Sequence, residues 1–177
     1  MLLEFKCPKN EQSAESVFQS SKSIAYVARV NDAVSARDFI LSLKKKHPYA
    51  THICYAFSFV ENLGKTVKTK SSDDKEPAGT AGKPILECIK NNNLNNTIIC
   101  VVRYFGGTLL GASNLLKAYV QSSQKAIDSA ILERMHLSKK CVFDVAYNHL
   151  SKIEAFLLSP SSLLKESPPG ITSSSTI

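Results

Sequence analysis

The chain has 177 residues, of which 44% are hydrophobic and 21% charged, enough for one domain with a proper core or one domain and a small companion. No apolar run approaches the roughly 18 residues of a membrane span, and the N-terminal MLLEFKCPKN lacks the basic start and apolar core of a secretion signal. A formal charge of +7 and a pI near 9.2 fit two readings about equally: an acidic partner such as RNA or the ribosome, and an ordinary solvated basic surface.

Residues 1–20 are weakly patterned: one edge strand over 2–7, then a polar lead-in. Residues 23–30 alternate, with Ile24, Tyr26, Ala28 and Val30 on one side, and read as a strand. Asn31-Asp32 supplies a helix cap, and Ala36, Phe39, Ile40 and Leu43 mark the buried stripe of the helix that follows. Lys44, Lys45, Lys46 and His47 fall in its last turn, where positive charge suits the dipole, and Pro48 stops it. An RNA contact is the other reading of that run. Residues 53–60 form an aromatic-rich strand, 62–64 a turn, and 65–70 a Thr/Lys strand at an edge. Lys68 and Lys70 share one face there, either to discourage edge pairing or as part of a basic track.

The stretch 71–119 carries most of the signal. Asp73, Asp74 and Glu76 crowd three carboxylates before Pro77. Gly79 and Gly82 bracket a helix start at Thr80, with Pro84 in the first turn, where a missing N–H costs little. Ile85, Leu86 and Ile89 give this helix its apolar side, and Asn91 to Asn93 end it. Residues 97–102 are apolar and largely β-branched, as in a strand buried on both faces. The strand ends in Arg103-Tyr104-Phe105-Gly106-Gly107. A long helix follows from about Leu109, with Ala112, Leu116, Tyr119, Val120, Ser123, Ile127, Ala130 and Ile131 as its stripe. Beyond Leu132 the pattern is a linker, a strand over 141–147 and a helix over 149–158. Residues 159–177 are Ser/Pro-rich without period and read as a disordered tail. The elements together predict an α+β fold with a mixed sheet and its helices on one face.

Asp73-Asp74-Lys75-Glu76-Pro77-Ala78-Gly79-Thr80-Ala81-Gly82, then Arg103-Tyr104-Phe105-Gly106-Gly107, Leu110-Gly111 and Lys117-Ala118-Tyr119 resemble the signature of the IMPACT/YigZ family. Ser23-Ile24-Ala25 and Ala50-Thr51-His52-Ile53-Cys54-Tyr55-Ala56 fit the same pattern upstream, so the resemblance covers roughly residues 20–130. The chain departs from it at Lys75, where the family usually has Gly, at Ala78, where it has Ser, and at Ser113-Asn114, where it has a glycine pair. The resemblance implies a βαβ sheet like domain 2 of ribosomal protein S5 over residues 1–134. It also implies that 135–158 begin a ferredoxin-like domain, here truncated, before the tail at 159–177. The function it implies is that of a cytoplasmic, translation-associated regulatory protein.

The residues themselves leave several chemistries open. Asp73, Asp74 and Glu76 could bind a hard cation or act as an acid/base pair. The structural alternative sets them against Arg103, Lys83 or the exposed amides of the Thr80 helix. His52 and Cys54 share a strand face, as a nucleophile pair or as a packed Cys beside a hydrogen-bonded His. No GxSxG, HExxH or GxxxxGK[ST] motif occurs, and neither a cofactor, a metal nor a catalytic residue is expected. Five cysteines (Cys7, Cys54, Cys88, Cys100, Cys141), widely spaced and without a CxxC pair, suit a reducing cytosol and no disulfide-linked partner. The binding surface expected comprises Asp73, Asp74, Glu76, Gly79, Thr80, Gly82, Lys83, Arg103, Tyr104, Gly106, Gly107 and Lys117. Lysine, arginine and helix N-termini would hold phosphate there, and Tyr104 and Phe105 would stack an unpaired base. The rival is an enzyme acting on a small phosphorylated or peptide substrate at the Asp73/Asp74/Glu76–Arg103 site.

Overall fold

A computed structural model describes residues 4–62, 64–136 and 146–157. It divides into two units, residues 1–139 and 140–177. In chain order the first unit contains β1 (Glu4–Pro8), β2 (Gln12–Phe18), β3 (Ser21–Arg29), α1 (Ala33–Lys46), β4 (His52–Glu61), β5 (Thr66–Ser72), α2 (Gly82–Asn91), β6 (Thr97–Tyr104), α3 (Ala112–Ser129) and β7 (Leu132–His136). In the second unit a 3-10 turn over Tyr147–His149 leads into α4 (Leu150–Leu157), within the helix expected there. The strand expected at 141–147 and the tail at 159–177 lie outside the described residues, apart from the end of that strand, which is a 3-10 turn.

Five strands form one sheet in the order β2-β3-β6-β4-β5. Every neighbouring pair is antiparallel, so the sheet is not the mixed one expected. The reason is topological. The α1 connection does make β3 and β4 parallel, but β6 inserts between them and runs against both. β6 is the central strand, buried along almost its whole length, as its β-branched run predicts. β5 is an edge with exposed Lys68 and Lys70.

The helices do not share one face of the sheet, contrary to the sequence expectation. Alternation along β6 sends Ile99 and Val101 into a core with Ile85, Ile89, Leu115, Tyr119 and Ile127 of α2 and α3. Ile98, Cys100 and Val102 enter a second core on the opposite face, with Ala36 and Leu43 of α1. Hydrophobic period marks which side of a helix is buried but not which side of a sheet buries it.

Asp32 caps α1 by accepting from Ser35 N at 2.7 Å, while the Ser35 hydroxyl meets the Asp32 amide in return. Lys44, Lys45 and Lys46 occupy its last turn and are exposed. The α3 stripe lies partly elsewhere than expected. Leu115, Ala118, Ser122 and Ala126 join Tyr119, Ser123 and Ile127 inside, while Ala112 and Leu116 face out and Ile131, past the helix, is exposed. Small residues let α3 approach β2, where Ser122 and Ser16 hydroxyls meet at 2.6 Å. The stretch after Leu132 is not a linker at its start: β7 pairs with β1 from Pro8↔Leu132 to Glu4↔His136.

Candidate functional site

The end of β6, the start of β4, the loop before α2 and the start of α3 converge on one place. Asp73 sits at the turn out of β5. Its carboxylate accepts from the amides of Gly79 (2.9 Å), Ala81 (3.0 Å) and Gly82 (2.7 Å), which binds the whole 73–82 loop to the start of α2. Burial raises the Asp73 carboxyl, but the three N–H donors outweigh it and hold the group below its ordinary 3.8. Asp74 lies at φ 41° and Lys75 at φ 72°. The Asp74 carboxylate accepts from Ile53 N at 2.7 Å and its carbonyl from His52 Nδ1 at 2.8 Å, fixing the loop to β4.

Glu76 points inward. Its Oε1 accepts from Arg103 Nη1 at 2.9 Å and from the Tyr119 hydroxyl at 2.8 Å, and His52 Nε2 stands 3.7 Å away. The Arg103 guanidinium also donates to Ser21 Oγ at 3.0 Å, and it lies 5.7 Å from the Phe105 ring centre. The carboxylates thus meet two of the three structural partners open to them, Arg103 and the helix amides. Lys83 is exposed instead.

Cys54 Sγ lies within hydrogen-bonding distance of Asp73 O, at 2.9 Å, and of the Tyr119 hydroxyl, at 3.2 Å. Burial pushes its thiol up to about 12, so it is a packed thiol rather than a thiolate nucleophile. Burial likewise pushes the Tyr119 hydroxyl far above its ordinary value. A carbonyl can only accept, so His52 Nδ1 carries a proton and donates it to Asp74 O.

The remaining site residues divide between surface and support. Thr80 is buried, its hydroxyl donating to Pro77 O at 2.7 Å. Gly79, Gly106, Gly107, Lys83 and Lys117 are exposed. Gly82 and Gly106 are glycines for space. A Cβ at Gly82 would stand 2.7 Å from Ser72 N, and one at Gly106 would overlap the Ser20 carbonyl. Tyr104 lies on the opposite face of the sheet from Arg103. There its hydroxyl meets His47 Nδ1 at 2.8 Å while Tyr26 meets Nε2 at 2.8 Å. Phe105, 44% exposed, is the aromatic ring left at the surface of this loop. Its amide donates to Thr51 Oγ1 at 3.0 Å, and Thr51 N donates to Arg103 O, so β4 anchors the loop.

Between these elements lies a cavity of about 290 Å³, walled by Thr51, His52, Glu76, Pro77, Arg103 and Phe105 with Leu109, Leu110 and Leu115. Sequence reasoning did not place Ser21, Thr51, His52 or Tyr119 at the site. Tyr119 carried a signal: a hydroxyl on the apolar stripe of a helix needs a buried partner.

The Impact N-terminal domain family model matches residues 19–127. The IMPACT family member YvyE of Bacillus subtilis is 37% identical over 166 residues, 94% of this chain and 75% of that protein. The IMPACT family member YigZ of Escherichia coli is 33% identical over 139 residues, 78% of this chain and 68% of that protein. A crystal structure of a hypothetical protein superposes with a TM-score of 0.72 at 28% identity, over 89% of this chain and 76% of that one. The matched segment runs from just before β3 to near the end of α3 and includes every residue of the cavity wall; the chain belongs to the IMPACT family.

Proposed function

We propose that the protein is a cytoplasmic regulatory binding protein of translation that engages RNA or the ribosome through the face carrying its glycine loops. In this reading the first unit is an S5 domain 2-like module, its β3–α1–β4 crossing spread around β6. Residues 135–158 would begin a second, ferredoxin-like part.

One observation carries the reading. The acidic groups that would serve catalysis are committed to holding the fold: Asp73 to three amides, Asp74 to Ile53 N and Glu76 to Arg103 and Tyr119. What remains outward is Lys83 in the first turn of α2, Lys117 on α3, and Gly106-Gly107 with the Phe105 ring in the loop between β6 and α3, on a chain of net charge +7. Exposed lysines and an aromatic ring suit an anionic, base-bearing partner, and internal pairing removes the acidic repulsion of a phosphate backbone. Arg103 acts here by shaping the loop, since it is buried and paired.

Cosedimentation with ribosomes and with bulk RNA, at low and high salt, tests this. The parent should pellet at low salt and be released as salt rises, while a Lys83→Ala, Lys117→Ala variant with an unchanged melting curve should pellet less. If the parent stays in the supernatant at every salt, the reading fails and the Asp73/Asp74/Glu76–Arg103 enzyme alternative takes its place.

A further inference from the structure

We infer that the β5 edge of the sheet takes an acidic, extended peptide segment of another protein as a sixth strand. β5 ends the five-strand order and pairs with β4 residue for residue, from Tyr55↔Ser72 to Glu61↔Thr66, without a bulge. Its outward groups follow from the bonds that β4 makes. Val60 N donates to Asn96 Oδ1, on the β6 side, while Ile53 N donates to Asp74 Oδ2, on the β5 side. Alternation therefore turns the backbone groups of Phe57, Phe59 and Glu61 towards β5, where they exchange bonds with Lys70, Lys68 and Thr66. Val67, Thr69 and Ser71 turn their N–H and C=O groups the other way, and no bond to them is formed among the described residues.

An open row of this kind is ordinarily blunted by a bulge, a proline or charge. β5 has only the last. Lys68 and Lys70 are exposed on one face of the strand and have no ion-pair partner among the described residues.

That charge selects the occupant. A second copy laid antiparallel on β5 about Thr69 would set Lys68 against Lys70 twice, and like charges directly opposite repel. An acidic strand in the same place sets carboxylates there instead. Residues facing Lys68 and Lys70 fall in the non-hydrogen-bonded pairs, where Cα atoms stand only about 4.5 Å apart and side chains meet most closely. Opposite Val67 and Thr69 the added strand sends its side chains to the other face. There Val67, 46% exposed, and Thr69 line a cavity of about 490 Å³ with Phe5, Ser58 and Leu94. Glu4, Lys6 and Lys90 complete its wall with charges of both signs, so Phe5, Val67 and Leu94 are what suit an apolar side chain. The segment recognised thus alternates acidic and apolar residues, with main-chain bonds supplying affinity and the two faces supplying specificity. A nucleic acid would match the lysines but not the row of backbone donors and acceptors.

Amide hydrogen exchange read by NMR tests this, with the heptapeptide Thr-Glu-Val-Glu-Val-Glu-Thr as probe. The Val67 and Thr69 amides should exchange quickly in the free protein, and the peptide should slow them about tenfold or more. Methylating the two valine nitrogens of the peptide removes the ladder and keeps the charge, so that form should protect neither amide. Thr-Lys-Val-Lys-Val-Lys-Thr should bind the parent about tenfold more weakly than the acidic peptide. The preference should reverse in a Lys68→Glu, Lys70→Glu variant, which changes only exposed side chains. Equal protection by the acidic and basic peptides overturns the choice of partner, and protection by the methylated peptide overturns strand addition. Amides already protected in a free protein that sediments as a dimer assign the edge to a second copy, and amides protected by oligouridine assign it to nucleic acid. Either result overturns the inference, as does protection by no peptide at all.

Discussion

Glu76 Oε1 lies 2.9 Å from Arg103 Nη1, and the two side chains are 4% and 6% exposed. They come from a loop and from the central strand, and their union holds the 73–82 loop over the end of β6. Two charges so far from water are stable only together: removing one leaves the other buried and unpaired. Arg103→Met should therefore lower unfolding free energy in urea by about 3–5 kcal/mol, and an added Glu76→Gln should recover part of that loss. Additive losses in the double variant would show that the two side chains are not coupled.

Asp73 is the second clamp on the loop. Asp73→Asn should cost about 2 kcal/mol at neutral pH, as for loss of a charged cap. The sign of the pH effect follows from a folded-state value held below the unfolded 3.8. The contribution is fully present above 3.8 and is lost as pH falls through the lower folded value. Melting curves taken from pH 6 down to pH 2 should show the parent losing its advantage over Asp73→Asn in that acid range. A constant gap would assign the stabilisation to some other group.

Gly106 and Gly107 should respond differently to the same added methyl. At Gly106 it would overlap the Ser20 carbonyl, so Gly106→Ala forces the loop away from the β2–β3 turn and destabilises by several kcal/mol. Gly107 sits at φ 85° with open space around it, so Gly107→Ala bears only the left-handed backbone cost of roughly 1–2 kcal/mol. Equal melting temperatures for the two variants would contradict this.

Lys75 occupies the left-handed region at φ 72° and is exposed, at a position where glycine removes the strain without loss of packing. Lys75→Gly should raise stability by roughly 0.5–1 kcal/mol, the backbone gain less the entropy of glycine in the unfolded chain. Lys75→Val should lower it, since a branched side chain fits that region worst.

The Cys54 thiol, raised to about 12, should resist alkylation at pH 8. Iodoacetamide labelling followed by peptide mass spectrometry should find Cys54 unmodified in buffer and modified in denaturing urea. Rapid labelling of the folded protein would place a reactive thiolate where the structure has a protonated, hydrogen-bonded one.

The segments legible in the sequence were those in which one local rule dominated. The β-branched run of β6, the Asn-Asp cap and lysine-rich end of α1, and the glycine-proline start of α2 each announced their element. β2 did not, because its inward positions are Gln12, Ala14, Ser16 and Phe18, too polar for a hydrophobic alternation. The buried side of α3 was misjudged in part for the same reason: Ser122, absent from the expected stripe, lies inside and lets β2 approach. At the site, the crowding of Asp73, Asp74 and Glu76 was evident, but their partners were not. Arg103, Lys83 and the helix amides were all within reach by sequence, and only the register of β6 against β3 and β4 brings Arg103 under Glu76.

The position of β6 also sets an order of events during synthesis. The ribosome delivers β2 through β5 first, and these can form only two separate hairpins, β2–β3 and β4–β5, because β3 and β4 do not touch. The sheet becomes continuous when residues 97–104 emerge, and β1 waits longer still for β7. At about 5–20 residues per second, the early hairpins spend seconds with apolar faces uncovered. Nascent chains halted before residue 97 should therefore be held by chaperones, and those released after residue 136 should not.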